Sequence, residues 1–145
     1  MPDTRKNPVR PIIGVGAVVF KNDLILLVKR ARAPKKDEWS LPGGAQKLGE
    51  TVREAITREV AEETGLRIQV DDLIDVIDFI ERKSAKTEYH YTLIDFSATF
   101  SGGELQAGSD ALDARFFSLD EALSLPLWTE TRRIILKAAK AQGIS

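Results

Sequence analysis

Between Gly44 and Leu66 the chain reads G-x5-E-x7-R-E-U-x-E-E-x-G-U, where U is a bulky aliphatic residue. Gly44, Glu50, Arg58, Glu59, Val60, Glu62, Glu63, Gly65 and Leu66 fill the fixed positions. Glu59, Glu62 and Glu63 offer only oxygen ligands, which suit a hard divalent cation such as Mg²⁺ or Mn²⁺. A cation held there would polarise a phosphoryl oxygen and lower the pKa of a bound water. The chemistry such a set offers is the binding of a divalent cation and the activation of what that cation touches.

The element that must position these acids is a helix. Thr51 followed by Glu54 fits a capping box, and Gly65 fits the left-handed residue that stops a helix. Leu66 can fold back on Val60 or Ala61, so the helix runs from about Thr51 to Thr64. At about 100° per residue, Glu63 falls about 40° to one side of Glu59 and Glu62 about 60° to the other. Val52, Ala55 and Ile56 also lie within about 60° of Glu59. The acids therefore continue the apolar stripe, and they should point along a rim or cleft. An ordinary solvated charge run would sit opposite that stripe.

This placement is costly. Glu59 repels Glu62 and Glu63, and the helix dipole disfavours anions in the last turn. Partial burial adds a desolvation penalty and raises at least one pKa. Arg58 can reach Glu54 or Glu62, each four residues away. One arginine does not neutralise three acids, whereas a divalent cation would.

The remaining composition sets bounds. A chain of 145 residues is long enough for one domain with a real core. Net charge is −1, which leaves no broad basic surface for nucleic acid. Cysteine is absent, which excludes thiolate metal sites and fits the cytoplasm. The apolar runs are too short to span a membrane. Residues 1–10 are polar and read as a loose tail, and residues 11–145 read as one domain.

Ile12 to Phe20 reads as a buried strand, and Leu24 to Lys29 as its hairpin partner across Lys21-Asn22-Asp23. Ala31 to Glu38 reads as a polar loop, and Trp39 to Gly44 as a loop leading into the helix. Leu66 to Val70 and Leu73 to Ile80 read as separate extended segments, followed by a charged connection from Glu81 to Thr87. Tyr89 to Phe100 reads as a strand, Ser101-Gly102-Gly103 as a turn and Gln106 to Asp113 as a loop. A short strand at Ala114 to Ser118, a short helix at Leu119 to Leu123 and a helix at Thr129 to Ala141 complete the chain. Mixed strands with a central and a C-terminal helix suggest an α/β/α sandwich, of the α/β (α+β) class.

The Gly44–Leu66 pattern resembles the Nudix box. The resemblance implies that family's fold, an α/β/α sandwich with a mixed β-sheet. It also implies hydrolysis of a nucleoside diphosphate linked to another moiety, with Mg²⁺ or Mn²⁺. It assigns metal binding to Glu59, Glu63 and Glu62, with the backbone carbonyl of Gly43 as loop ligand. Arg58 then orients and neutralises the glutamates, and Glu50 acts electrostatically or by hydrogen bonding near the loop, where it is also a candidate substrate contact. In this family the general base is a box glutamate or a distant loop acid. Asp110 occupies the distal position, with Asp113 and Glu104 as rivals and loop capping as the bland use.

Nucleotide contacts fall on Tyr89, His90 and Tyr91, whose rings can stack on a base or hydrogen-bond a ribose. Packing within a sheet is their alternative use. Trp39 stands beside the catalytic loop, and Lys29 and Arg30 end a strand within reach of phosphates. Trp128 suits a lid or dimer contact. Similarity to small ADP-ribose-hydrolysing members makes ADP-ribose the first substrate. Some of those members carry a proline after the box, and Ile80 to Lys83 holds none. The alternatives are a nucleoside triphosphate, oxidised ones included, a dinucleoside polyphosphate, a nucleotide sugar, or a non-catalytic nucleotide sensor. The resemblance and the unassigned tail also suggest a homodimer. The expected partner is a small-molecule nucleotide, with no nucleic acid and no membrane.

Overall fold

The computed structural model describes residues 5–108 and 110–145, so Met1 to Thr4 of the expected tail and Ser109 of the distal loop lie outside the described residues. The framework is one mixed sheet. Strand β1 (Ile12–Lys21) lies at its centre and runs parallel to β6 (Lys86–Gly103). On its other side β1 pairs antiparallel with β2 (Leu24–Arg30) at one end and with β4 (Gly43–Ala45) at the other. The short β3 (Trp39–Ser40) and β7 (Ala111–Phe117) both pair with β2, and β5 (Leu66–Lys83) pairs with the far side of β6.

Helices cover both faces of this sheet, which is why β1 reads as one apolar run rather than an alternation. Val15, Ala17 and Val19 of β1 pack with Ala55, Ile56 and Val60 of α1 (Val52–Thr64). Val18 and Phe20 face the other way, onto Ile134, Ile135 and Ala138 of α3 (Thr129–Ala141). The short α2 (Leu119–Ser124) joins α3 through Leu119 and Ala122, and Ser118 caps it in a capping box with Glu121. The result is the expected α/β/α sandwich.

Several local readings change. The loop before α1 is partly strand: Gly43 pairs with Gly16 and Gly44 with Val15. The two segments after α1 form one strand, bulged between Val70 and Leu73. At the bulge Asp71 accepts from Thr99 Oγ1 at 2.7 Å, and Asp72 donates its N–H to Ser97 Oγ at 3.2 Å. The charged stretch from Glu81 is a continued hairpin, closed at Lys83↔Lys86 over a turn with Ser84 at φ +58°. Its side chains are largely exposed, so its composition carried no strand signal. Gly102 and Gly103 end β6 opposite Arg67 and Leu66 rather than forming a turn.

Strand β7 begins at Ala111, three residues earlier than the sequence suggested, because Ala111 pairs with Arg30 across a register shift. Residues 5–10 run beside the start of β6, where Asn7 donates its N–H to Glu88 O at 2.8 Å and Lys6 pairs with the Glu88 carboxylate at 3.6 Å. Among the described residues no helix is long and apolar enough to cross a membrane.

Candidate active site

The caps of α1 fix where its acids stand. Glu54 N–H donates to Thr51 Oγ1 at 3.1 Å, and Thr51 N–H donates to Glu54 Oε1 at 2.9 Å. At the other end Gly65, at φ +75°, donates to Ala61 O at 2.9 Å. Gln106 and Gly108 donate to Thr64 O and Glu63 O at 2.9 and 2.7 Å, satisfying carbonyls the helix leaves open. These two bonds also tie the loop carrying Asp110 to the helix end. With Ala55, Ile56 and Val60 buried against the sheet, the same rotation turns Glu59 and Glu63 toward β4.

Glu63 accepts the N–H of Gly43 at 3.0 Å. Burial pushes its carboxyl up to about 8, and the Glu59 charge adds to the rise against the opposing effect of that N–H. Glu59 lies against Gly44, where a β-carbon would collide with its carboxylate. Its pKa is also raised by burial, with Arg58 acting in the opposite direction. Glu62 is different: its side chain is 55% exposed and it meets Arg58 at 3.1 Å.

Arg58 organises the outer side of this cluster. Its Nε and Nη2 grip both oxygens of Glu50 at 2.8 Å, and Nη1 reaches Glu59 at 2.8 Å. Nη2 also donates to Ala45 O at 3.0 Å. Of the two partners expected from helix spacing, Glu62 is engaged at 3.1 Å, while Glu54 is committed to the cap and Glu50 takes its place. The paired guanidinium and the Lys47 N–H hold Glu50 down at about 2.

A cavity of about 300 Å³ opens beside the acids. Glu59, Glu63, Gly43, Arg30, Asp110 and Trp39 line it, so the structure brings these expected residues together. Arg30 donates Nε–H to Pro34 O at 2.8 Å, and burial lowers its pKa while Glu63 opposes that. Asp110 pairs with Arg32 at 3.0 Å. Tyr91 lines the cavity, but Tyr89 and His90 do not. Tyr89 is 4% exposed one pleat repeat earlier in β6, and His90 sits opposite Ile80 in the hairpin. Glu50, Arg58 and Glu62 stand behind Glu59 rather than in the wall. Of the rival acids, Asp113 is bound to Arg115 at 2.7 Å and Glu104 is exposed, and neither lines the cavity.

The sequence did not single out Phe79 or Asp95, and it offered Trp128 only as a lid or dimer contact. Phe79 and Trp128 meet edge to face at 5.3 Å in the cavity wall, which gives Trp128 a definite place. Asp95 is 6% exposed in the same wall, and its signal was a lone acid inside the apolar run Thr92 to Phe100.

A divalent ion fits this chemistry. Glu59 and Glu63 are carboxylates whose ionised forms are disfavoured where they stand, and a cation would relieve both. Among the described residues no three acidic, histidine or cysteine side chains converge on a ready-made cage. Mg²⁺ keeps several waters and is bound through one or two carboxylates, so two acids beside an open cavity suit it.

A family model described as "NUDIX domain" matches residues 10–138. The chain is 41% identical over 112 residues to an ADP-ribose pyrophosphatase from Methanocaldococcus jannaschii, covering 77% of this chain and 64% of that protein. Among solved structures it is similar to a MutT NUDIX hydrolase from Burkholderia pseudomallei, with a TM-score of 0.76 and 33% identity over 88% of this chain and 98% of that one. An ADP-ribose pyrophosphatase from Streptococcus suis gives a TM-score of 0.71 and 27% identity, covering 92% of each chain.

Proposed function

The chain belongs to the Nudix hydrolases, enzymes that cut pyrophosphate bonds, and from that premise we propose that it hydrolyses ADP-ribose to AMP and ribose 5-phosphate with Mg²⁺ or Mn²⁺. The observation that carries the reading is that Glu59 and Glu63 line one cavity together with Phe79, Tyr91 and Trp128. The archaeal relative named ADP-ribose pyrophosphatase supports the substrate.

Glu59, Glu63 and the Gly43 carbonyl would hold the metal, with Glu62 reaching it through water. When bound, the ion screens the diphosphate charge and acidifies a water. Arg58 keeps the Glu59 carboxylate aimed and offsets repulsion among the glutamates. Arg30 stands where it can meet a phosphate oxygen. Of the three rival loop acids, Asp110 lines the cavity and is assigned the general base. Water oxygen bonds to one phosphorus, the bridging P–O bond breaks, and Asp110 takes the proton from the attacking water. The aromatic wall of Phe79, Tyr91 and Trp128 would receive the nucleoside.

The test is a product assay on ADP-ribose, nucleoside triphosphates, dinucleoside polyphosphates and nucleotide sugars, each with Mg²⁺ and with chelator. AMP and ribose 5-phosphate appearing only with metal is the expected result. Cleavage of another class would replace the substrate, and no cleavage with intact Mg²⁺ binding would replace the enzyme by a sensor.

A further inference from the structure

Asp95 is a buried acid that the hydrolytic step does not use. It lies in mid-β6, opposite Gly16 of β1, and is 6% exposed. Among the described residues no N–H or O–H donates to its side chain. No fully occluded side-chain oxygen or nitrogen there lacks a partner, so the unpaired Asp95 carboxyl must keep access to the cavity it lines. Its cross-strand neighbour Asp75 is engaged with Arg133 at 3.0 Å, and that arginine gives Asp95 no hydrogen bond. A β-carbon on Gly16 would stand 2.5 Å from Asp95 Oδ1, so glycine there leaves the carboxyl room.

An unpaired buried carboxyl is destabilising unless something satisfies it. What surrounds Asp95 suggests what that is. Leu41, Ile77, Leu93 and Trp128 line the same cavity and offer mainly apolar surface, and none of them donates to Asp95. Gly16 pairs with Asp95 on one side and Gly43 on the other. Asp95 is therefore two strand spacings, about 10 Å, from the backbone that holds Glu63. That separation is comparable with the reach of a nucleoside from its 5′-phosphate to its base edge.

We propose that Asp95 is the specificity-determining residue of this cavity, accepting a hydrogen bond from an N–H on the nucleobase of the bound nucleotide. The proposal rests on the hydrolase reading for the orientation of the substrate, with phosphates at Glu59 and Glu63. A site built around such a contact rejects a base that lacks the donor, because the buried acid is then left unpaired.

The test is calorimetric binding of AMP, GMP and purine riboside 5′-monophosphate in Mg²⁺. The last keeps the ring, ribose and phosphate but carries no N–H on its base. The wild-type chain should bind AMP or GMP at least about tenfold more tightly than purine riboside 5′-monophosphate. Asp95→Leu should close that gap to within about twofold. Asp95→Asn presents a donor beside an acceptor and should move the AMP-to-GMP ratio toward AMP, which serves if the leucine variant fails to fold.

No gap in the wild type, a gap that survives Asp95→Leu, or an equal loss for all three ligands would overturn the proposal; the equal loss would place Asp95 on the ribose. The hydrolase reading is read separately, by metal-dependent turnover. Turnover without a base gap sinks the Asp95 assignment alone. A base gap without turnover sinks the hydrolase reading and leaves Asp95 as a base contact in a nucleotide-binding site.

Discussion

Gly43 donates its N–H to Glu63 at 3.0 Å, joining β4 to the last turn of α1. This bond fixes a carboxylate whose pKa is pushed up to about 8, beside a second raised acid, Glu59. Neutralising either should therefore separate stability from activity. Glu63→Gln and Glu59→Gln should each lower kcat about a hundredfold or more, because the groups act in the charge-stabilising apparatus. For Glu63→Gln, Tm should hold or rise, since a neutral amide removes the desolvation cost. Steady-state kinetics with Mg²⁺ and a thermal melt decide this. Near-normal turnover would move the metal site elsewhere.

The same shift sets a pH dependence for metal binding. The ordinary value for Glu63 is 4.5 and the folded value about 8, so the native protein holds the extra proton between them. Apo stability should fall as pH rises through that window. Mg²⁺ binds the ionised form, so its stabilisation should grow over the same range and vanish with chelator. The check is the Tm difference between Mg²⁺ and chelator at pH 6 and pH 8.5. A difference that does not grow with pH would mean Glu63 is not a ligand.

Gly44 leaves no room for a β-carbon beside the Glu59 carboxylate. Gly44→Ala should displace that carboxylate and lower kcat more than it raises KM, by about tenfold or more. Paired kinetic constants and a melt would show this, and unchanged kcat in a folded variant would remove Glu59 from its assigned place.

Arg58 grips Glu50 with two donors and reaches Glu59 with a third. Lysine cannot reproduce that fork. Arg58→Lys should lower kcat about tenfold while leaving nucleotide binding nearly unchanged, as befits a residue that positions another. Equal losses in both would mean that Arg58 touches the substrate itself.

The acids of α1 and its two caps were legible because their causes are local. Thr51, Glu54 and Gly65 act within a turn of the helix, and period 3.6 put Glu59 and Glu63 on the buried side. For Arg58 the pairing with Glu62 was legible, but its stronger partner, Glu50, lies outside the helix and meets it only after the loop closes. The cavity wall was less legible still. Phe79 and Trp128 are distant in sequence and meet only when β5 packs beside α3. Tyr89 and Tyr91 share a strand face, yet only Tyr91 reaches the cavity, because the opening ends between them. Asp95 was visible as an acid in an apolar strand, but nothing local said that it lacks a partner.

Asp95 also predicts a stability profile independent of any ligand. Burial pushes its carboxyl from an ordinary value of 3.8 up to about 7, with the charge of Asp75 adding to the rise. Between those values the folded chain holds a proton that the unfolded chain releases. Stability is therefore greatest at the acid end of this window and falls until the pH passes about 7. The loss is on the order of a few kcal/mol. Replacing an unpaired buried acid with an apolar side chain of similar size removes that cost. Asp95→Leu should accordingly raise Tm at pH 8 by several degrees and raise it less at pH 5. Melts of both chains without metal or nucleotide, from pH 4.5 to 8.5, test the sign. A leucine variant less stable at pH 8 would mean that the carboxylate is satisfied within the folded chain, and the case for a ligand there would fall with it.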